Sequence, residues 1–359
     1  MIITPPDNTK GEYFFAGKTR SQEKSLQRIK VASFGLGPIG RSIALLAASR
    51  EKTMEIVGAV DSDPSLKGKS LREVIGVSAP QSISVASSLA ELAEVPDVVL
   101  HATGSFLSDV KSQLLEFCRG GIDVVSTNEE LSYPWFSHRE IGLELDKAAR
   151  DGGCTILGTG VNPGFVLDAL AITLSGACEN ILEANAVRVL DATRRRLPFQ
   201  KKVGIGMDPE EFEQNVRSGK FGHIGMPESM AMVCDALGKP LKRIDQRISP
   251  KIAEEPTQTD HFGIVRKGRV LGLVQDGHGY ADEARPIINY HIEMYAGAKD
   301  AFDEIEFRGN PNLKLRIPGG TPGDIATTAM IVNSVKRVVD ASPGLLTVKD
   351  LRPANGHFS

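Results

Sequence analysis

From Lys30 onward, short apolar runs alternate with longer stretches in which apolar residues recur every third or fourth position. IKVASFGLG reads as a strand entering a glycine turn. PIGRSIALLAASR, apolar at Ile39, Ile43, Leu45 and Leu46, reads as a helix laying one face on a sheet. MEIVGAVD, SISVA, DVVLHATG, IDVVST and CTILGTG supply five further strands. Between them FLSDVKSQLLEFCRG, stopped by Gly120-Gly121, and HREIGLELDKAARDGG read as helices. Six strands alternating with helices predict an α/β fold: a doubly wound, mostly parallel Rossmann sheet with right-handed crossovers.

After Gly160 the texture changes. ILEANAVRVLD, GIVRKGRVLGLVQDG and NYHIEMYAGA alternate like antiparallel strands, and Lys267-Gly268 suggests a hairpin turn between GIV and VLGLV. Helices are expected over residues 209–218 and 227–237, and a long one from about Asp324 to Val339 that returns to the first domain. The expected division is an N-terminal arm at 1–29, a dinucleotide-binding domain at 30–160, a substrate and oligomerisation domain at 161–322, and a C-terminal helix and tail at 323–359. The second domain is α+β with a mostly antiparallel sheet.

Composition narrows the classes of function. The 359 residues carry 42 Lys+Arg against 45 Asp+Glu, a net charge of −3, so no basic excess points to nucleic acid. Apolar runs fall well short of the ~20 residues that span a bilayer, and the polar first thirty residues do not read as a signal peptide. Cys118, Cys154, Cys178 and Cys234 show neither a disulfide framework nor metal-ligand spacing, so a reducing cytoplasm and no metal are expected. The 36 glycines are clustered, and the clusters mark the chemistry.

Gly35-Leu36-Gly37-Pro38-Ile39-Gly40 is a G-x-G-x-x-G between a strand and a helix. Such glycines allow a tight turn, let the backbone approach a pyrophosphate and admit close helix packing, while the helix start offers amide donors. Asp61 closes the second strand, where a carboxylate bonds the ribose hydroxyls and repels a 2′-phosphate. NAD is thereby favoured over NADP, although Lys67 and Lys69 nearby would relieve that repulsion. Ala102 and Thr103 follow the fourth strand and suit close passage of the cofactor, with His101 read as a structural histidine. Gly160 and Asn162 follow the sixth strand at the same carboxyl edge.

Two adjacent carboxylates, Glu129 and Glu130, follow the fifth strand. One of them beside the reacting carbon would hold an ammonium or move protons during amine oxidation. Arg194, Arg195 and Arg196 could anchor a substrate carboxylate. Trp135, Phe136, Phe165 and Met207 could line an apolar pocket, and His223, His261 and His291 are too far apart in sequence to argue a metal.

The segments GLGPIG, HATGSF, EELSYP, ILGTGVNPGFVLD, RRRLPFQKKVGIG, GHIGMPESMAM and GDIATTAMIVNSVKRVVDASPGLLTVKDL together resemble 2,4-diaminopentanoate dehydrogenase and the related native amine dehydrogenases. The resemblance runs from about Lys30 to Arg352, and the family is distantly similar to dihydrodipicolinate reductase. An HHxxKxDxPSGT-type segment of that reductase has no counterpart here. The resemblance implies NAD(P)-dependent, reversible oxidative deamination of a primary amine or a 2,4-diaminopentanoate-like amino acid to the ketone and ammonia. It maps the family's catalytic glutamate onto the Glu129-Glu130 pair. Glu129 is preferred, because similar homoserine dehydrogenases place a functional lysine in the first slot after the corresponding turn. A homodimer is expected by analogy. The alternatives are a homoserine-type alcohol or aldehyde dehydrogenase and a non-catalytic NAD-binding regulator.

Overall fold

The computed structural model describes residues 28–357 apart from 77, 78, 81, 220 and 283. The arm expected at 1–29 lies outside the described residues except for its last two, and Ile29 already opens the first strand. Strands β1 (Ile29–Phe34), β2 (Met54–Val60), β3 (Val85–Ala86), β4 (Val98–His101), β5 (Asp123–Ser126) and β6 (Thr155–Gly158) stand in the order 3-2-1-4-5-6. Every pairing among them is parallel. Every residue of β4, β5 and β6 is buried, which is why these strands read as unbroken apolar runs. Helices α1 (Pro38–Ala48), α2 (Leu71–Ile75), α3 (Leu107–Arg119), α4 (Pro134–Ser137) and α5 (Arg139–Gly152) flank the sheet.

A seventh strand was not legible: β15 (Gly344–Leu346) adds in parallel beyond β6. Just before it runs α10 (Gly323–Asp340), whose Ile331, Val332, Val335 and Val338 share a core with Ile43 and Ala47 of α1 and with Val125 and Leu157 of the sheet.

The second sheet holds β7 (Asn180–Asp191), β8 (Arg243–Ile252), β11 (Val270–Tyr280), β12 (Ile288–Tyr295), β13 (Phe302–Asn310) and β14 (Leu313–Pro318) in the order 14-13-7-12-11-8. Its pairings are antiparallel except for β12 with β7. The Lys267-Gly268 hairpin does not form: β10 (Gly263–Val265) pairs with β9 (Thr257–Thr259), whereas β11 pairs with β8 and β12. Two apolar runs either side of a turn need not face each other when each has a longer partner elsewhere. The remaining helices are α6 (Ala169–Ser175), α7 (Leu197–Lys202), α8 (Pro209–Arg217) and α9 (Met226–Ala236). Met226, Met230 and Val233 of α9 share a core with inward residues of the sheet such as Ala184, Leu273, Ile292 and Phe307.

Candidate active site

A cleft of about 380 Å³ opens where the loops after β1, β4, β5 and β6 meet the inner face of the second sheet. Its first wall is the glycine loop, contributing Gly37, Pro38, Ile39 and Gly40. Gly35, with φ of 93°, turns the chain so tightly that a Cβ there would lie 2.4 Å from the Ala102 carbonyl oxygen. A Cβ on Gly40 would lie 1.8 Å from the Gly35 carbonyl oxygen, so the third glycine brings helix and loop together. Gly37 is exposed, a Cβ on it would meet nothing within 4 Å, and it caps α1 where amides are free to donate. A closed turn, a bare second glycine and an open helix start fit a dinucleotide pyrophosphate.

Asp61 stands behind this loop rather than in the cleft. Its carboxylate accepts the Leu36 amide at 2.5 Å and the Asp63 amide at 2.8 Å, tying the glycine turn to the end of β2. Lys67 pairs with Glu91 at 3.3 Å. Ala102, Thr103, Gly104 and Ser105 form the next stretch of wall. His101 is wholly buried behind them, bonded to Ser126 at 2.7 Å and Gln113 at 2.8 Å. Burial pushes its pKa down to about 4, so it is a neutral structural histidine. Gly160, Val161, Asn162 and Pro163 complete this side.

The two adjacent carboxylates part company. Buried Asn128 fixes the turn after β5, donating to the Gly104 carbonyl at 2.9 Å and accepting the Leu131 amide at 2.9 Å. On that turn Glu129 lines the cleft, with Lys202 Nζ 3.6 Å from its carboxylate. Glu130 is not among the lining residues. It accepts the first helical amide of α3, from Leu107, at 2.6 Å and pairs with His138 at 3.1 Å. That amide has no partner within the helix, so the carboxylate works as a charged cap. Glu130 in turn raises the pKa of His138, chiefly through their hydrogen bond.

The structure also redistributes the expected substrate residues. Arg194 is exposed and is not among the lining residues; Arg195 and Arg196 are, each paired with Asp324 at 2.9 and 3.3 Å. Trp135 packs against Gly142 of α5, and Phe165 and Met207 pack against the core of the second sheet. The lining instead includes Leu190, Pro198, Phe199, Val203 and Met294, with Arg188, Lys202 and His223 among the polar groups.

Arg188 had a sequence signal. With Ala184, Ala186 and Leu190 it occupies the inward parity of β7, a charge where the alternation demands burial. It is fully buried, paired with Asp303 at 2.9 Å and donating to the Thr321 carbonyl at 2.8 Å. Burial lowers its pKa, with Asp303 opposing. His223 had no signal beyond flanking glycines. Its Nε2 accepts from Asn162 Nδ2 at 2.9 Å, and burial, followed by Lys202 and Arg188, pushes its pKa down to about 3.

A doubly wound sheet with a bare glycine turn at its carboxyl edge, facing a carboxylate and an apolar wall, defines a nicotinamide-dependent oxidoreductase. The family model described as the 2,4-diaminopentanoate dehydrogenase C-terminal domain matches residues 165–357. The chain is 31% identical to 2,4-diaminopentanoate dehydrogenase of Acetoanaerobium sticklandii, over 91% of this chain and 94% of that protein. It is 22% identical to an amine dehydrogenase of Streptomyces virginiae, over 92% and 98% respectively. Among solved structures, that of amine dehydrogenase from Mycobacterium smegmatis superposes with a TM-score of 0.81 at 23% identity, covering 92% of this chain and 98% of that one. The chain belongs to the 2,4-diaminopentanoate dehydrogenase family and is an NAD(P)-dependent amine dehydrogenase. The homoserine-type and regulator alternatives are not favoured.

Proposed function

We propose that this chain deaminates an amine bearing a carboxylate, of the 2,4-diaminopentanoate kind, with Glu129 as the catalytic acid and base. The observation that carries the reading is the placement of Glu129 in the same cleft as the bare glycine turn, beside Lys202 and among Arg188, Arg195 and Arg196. The lining holds Arg188, Arg195, Arg196 and Lys202 against only Glu129 and Asp324, and that excess of positive charge suits a carboxylate, while Leu190, Phe199 and Met294 suit the carbon chain. Gly35, Gly37, Pro38, Ile39, Gly40, Ala102, Thr103, Gly160 and Asn162 are the residues that would hold the dinucleotide. NAD is favoured, because Asp61 sets a carboxylate at the end of β2 and Lys67 is already engaged by Glu91.

A nicotinamide held by these residues would supply the hydride chemistry, accepting a hydride from the substrate carbon or donating one in the reverse direction. Glu129 takes a proton from the substrate ammonium, freeing the nitrogen lone pair that expels the hydride. Once Glu129 has passed that proton to solvent, its carboxylate lies beside the positive C=N that forms, stabilising the charge as it develops. Water adds at that carbon and gives a proton to Glu129, which returns it to the nitrogen; the C–N bond then breaks, ammonia leaves, and the remaining O–H proton passes to Glu129 as the ketone forms. Residues 30–160 with α10 carry the cofactor, and the second sheet with α7 supplies the substrate wall. Four free cysteines support a reducing cytoplasm, and the solvent-reached face of the second sheet is the surface on which a homodimer would form.

The test is NADH formation with 2,4-diaminopentanoate and a panel of simple amines, run with NAD and with NADP. Glu129→Gln is expected to lower kcat by about 10²–10⁴-fold while cofactor binding, followed by fluorescence, is retained. Near-normal turnover of that variant would remove Glu129 from the chemistry.

A further inference from the structure

The reaction needs a second polar group that Glu129 does not supply. Resting on the amine dehydrogenase reading, the sequence of bonds in the amination direction is fixed by chemistry. Ammonia adds to the ketone carbon, a C–N bond forms, and a proton moves from nitrogen to oxygen to give a carbinolamine. The C–O bond then breaks, the nitrogen lone pair becomes the C=N bond, and the oxygen leaves as water with one further proton. Glu129 serves the nitrogen. The oxygen gathers negative charge when ammonia adds and again when the C–O bond breaks, and a donor on it lowers both barriers.

His223 is built into the right place. The loop that carries it packs on the proposed base: a Cβ on Gly225 would lie 3.1 Å from that of Glu129. The His223 backbone is held from both sides by fully buried Gln275, whose Oε1 accepts its amide at 2.9 Å and whose Nε2 donates to its carbonyl at 3.3 Å. Its ring is held by Asn162, on the wall after β6, which donates to Nε2 at 2.9 Å. A neutral imidazole that accepts at Nε2 carries its hydrogen on Nδ1. Burial and the neighbouring cations Lys202 and Arg188 keep the ring neutral. It therefore cannot deliver a proton as imidazolium, and its use is that of a fixed donor, the way a neutral histidine polarises a carbonyl.

We propose that His223 is a catalytic residue for the oxygen of the substrate, its Nδ1–H bonding the ketone or carbinolamine oxygen between the Asn162 wall and Glu129. The protons themselves pass through Glu129 and water, and the histidine fixes the oxygen while they do.

The experiment separates the hydride step from the steps that involve oxygen. With the amine that the wild type oxidises fastest, stopped-flow absorbance gives the first-turnover rate of NADH formation, and steady-state assays give kcat. In His223→Leu the first-turnover rate should stay within about twofold, while kcat falls by about 10²–10³-fold, the loss of one such donor. A burst of NADH then precedes a slow steady state. His223→Asn, which keeps an N–H near Nδ1, should recover part of kcat. Infrared difference spectra of the bound ketone should show the carbonyl stretch at lower frequency in the wild type than in His223→Leu. Parallel loss of both rates, no loss of either, or an unmoved carbonyl stretch would overturn the assignment. A wild type that oxidises no amine would overturn the underlying reading instead, and this inference with it.

Discussion

Two neighbouring glutamates show how far one residue position decides function. Glu129 and Glu130 are chemically identical and sit on one short turn, yet only Glu129 lines the cleft. Glu130 spends its charge on the Leu107 amide and on His138. Glu130→Ala should therefore cost stability, by about 0.5–2 kcal/mol for a lost helix cap, and leave kcat within a few-fold of wild type. Chemical denaturation and steady-state kinetics check both halves. The His138 pKa, raised by Glu130, should fall toward its ordinary value in the variant, which proton NMR reads directly. The sign follows: this pair's stabilisation is complete below the unfolded histidine pKa and is lost as pH rises through the raised folded value. Spacing alone did not separate the two glutamates and the preference for Glu129 came from the family resemblance, because which one turns into the cleft depends on Asn128 gripping Gly104, a contact 24 residues apart.

At the scale of the element, α9 carries a carboxyl group against its own solvation. Glu228 stands in its first turn, where a negative charge is favoured by the helix, but it is buried. Burial wins and raises its pKa to about 7, with Glu130 adding and the Ser137 hydrogen bond opposing. Its folded pKa lies above the unfolded one, so the wild type loses stability as pH rises from about 4.5 to about 7. Glu228→Gln never ionises. The variant should match wild type near pH 4.5 and exceed it increasingly up to pH 8, by about 1.4 kcal/mol per unit of pKa shift. Thermal melts of both proteins across that range check it, and a pH-independent difference would refute the burial argument. Legibility also varies by element. The Rossmann strands were readable because burial on both faces makes them continuous apolar runs, and α5 because its apolar residues keep helical spacing. The six-residue α7 and three-residue β15 were not, because segments that short take their structure from tertiary partners.

Across the whole molecule the cleft is closed by a joint whose parts are individually weak. Asp324 opens α10, which is cored into the first sheet, and its carboxylate holds Arg195 and Arg196 at the start of α7. Side-chain exposures of 20, 35 and 39% make these pairs solvent-screened, worth about 0–1 kcal/mol each. Against the global stability of a domain, ~5–15 kcal/mol, such a loss is small. Against the local stability of a six-residue helix it is large. Asp324→Asn should therefore leave the melting temperature within about 2 °C, a shift consistent with a loss of that size in a chain this long. Hydrogen exchange in α7 should accelerate several-fold, while that of the central strands β4 and β5 stays as it was. Because α7 presents Phe199 and Lys202 to the cleft, KM for the amine should rise more than kcat falls. Equal protection of α7 in both proteins would mean that packing, and not this ion-pair joint, holds the substrate wall in place.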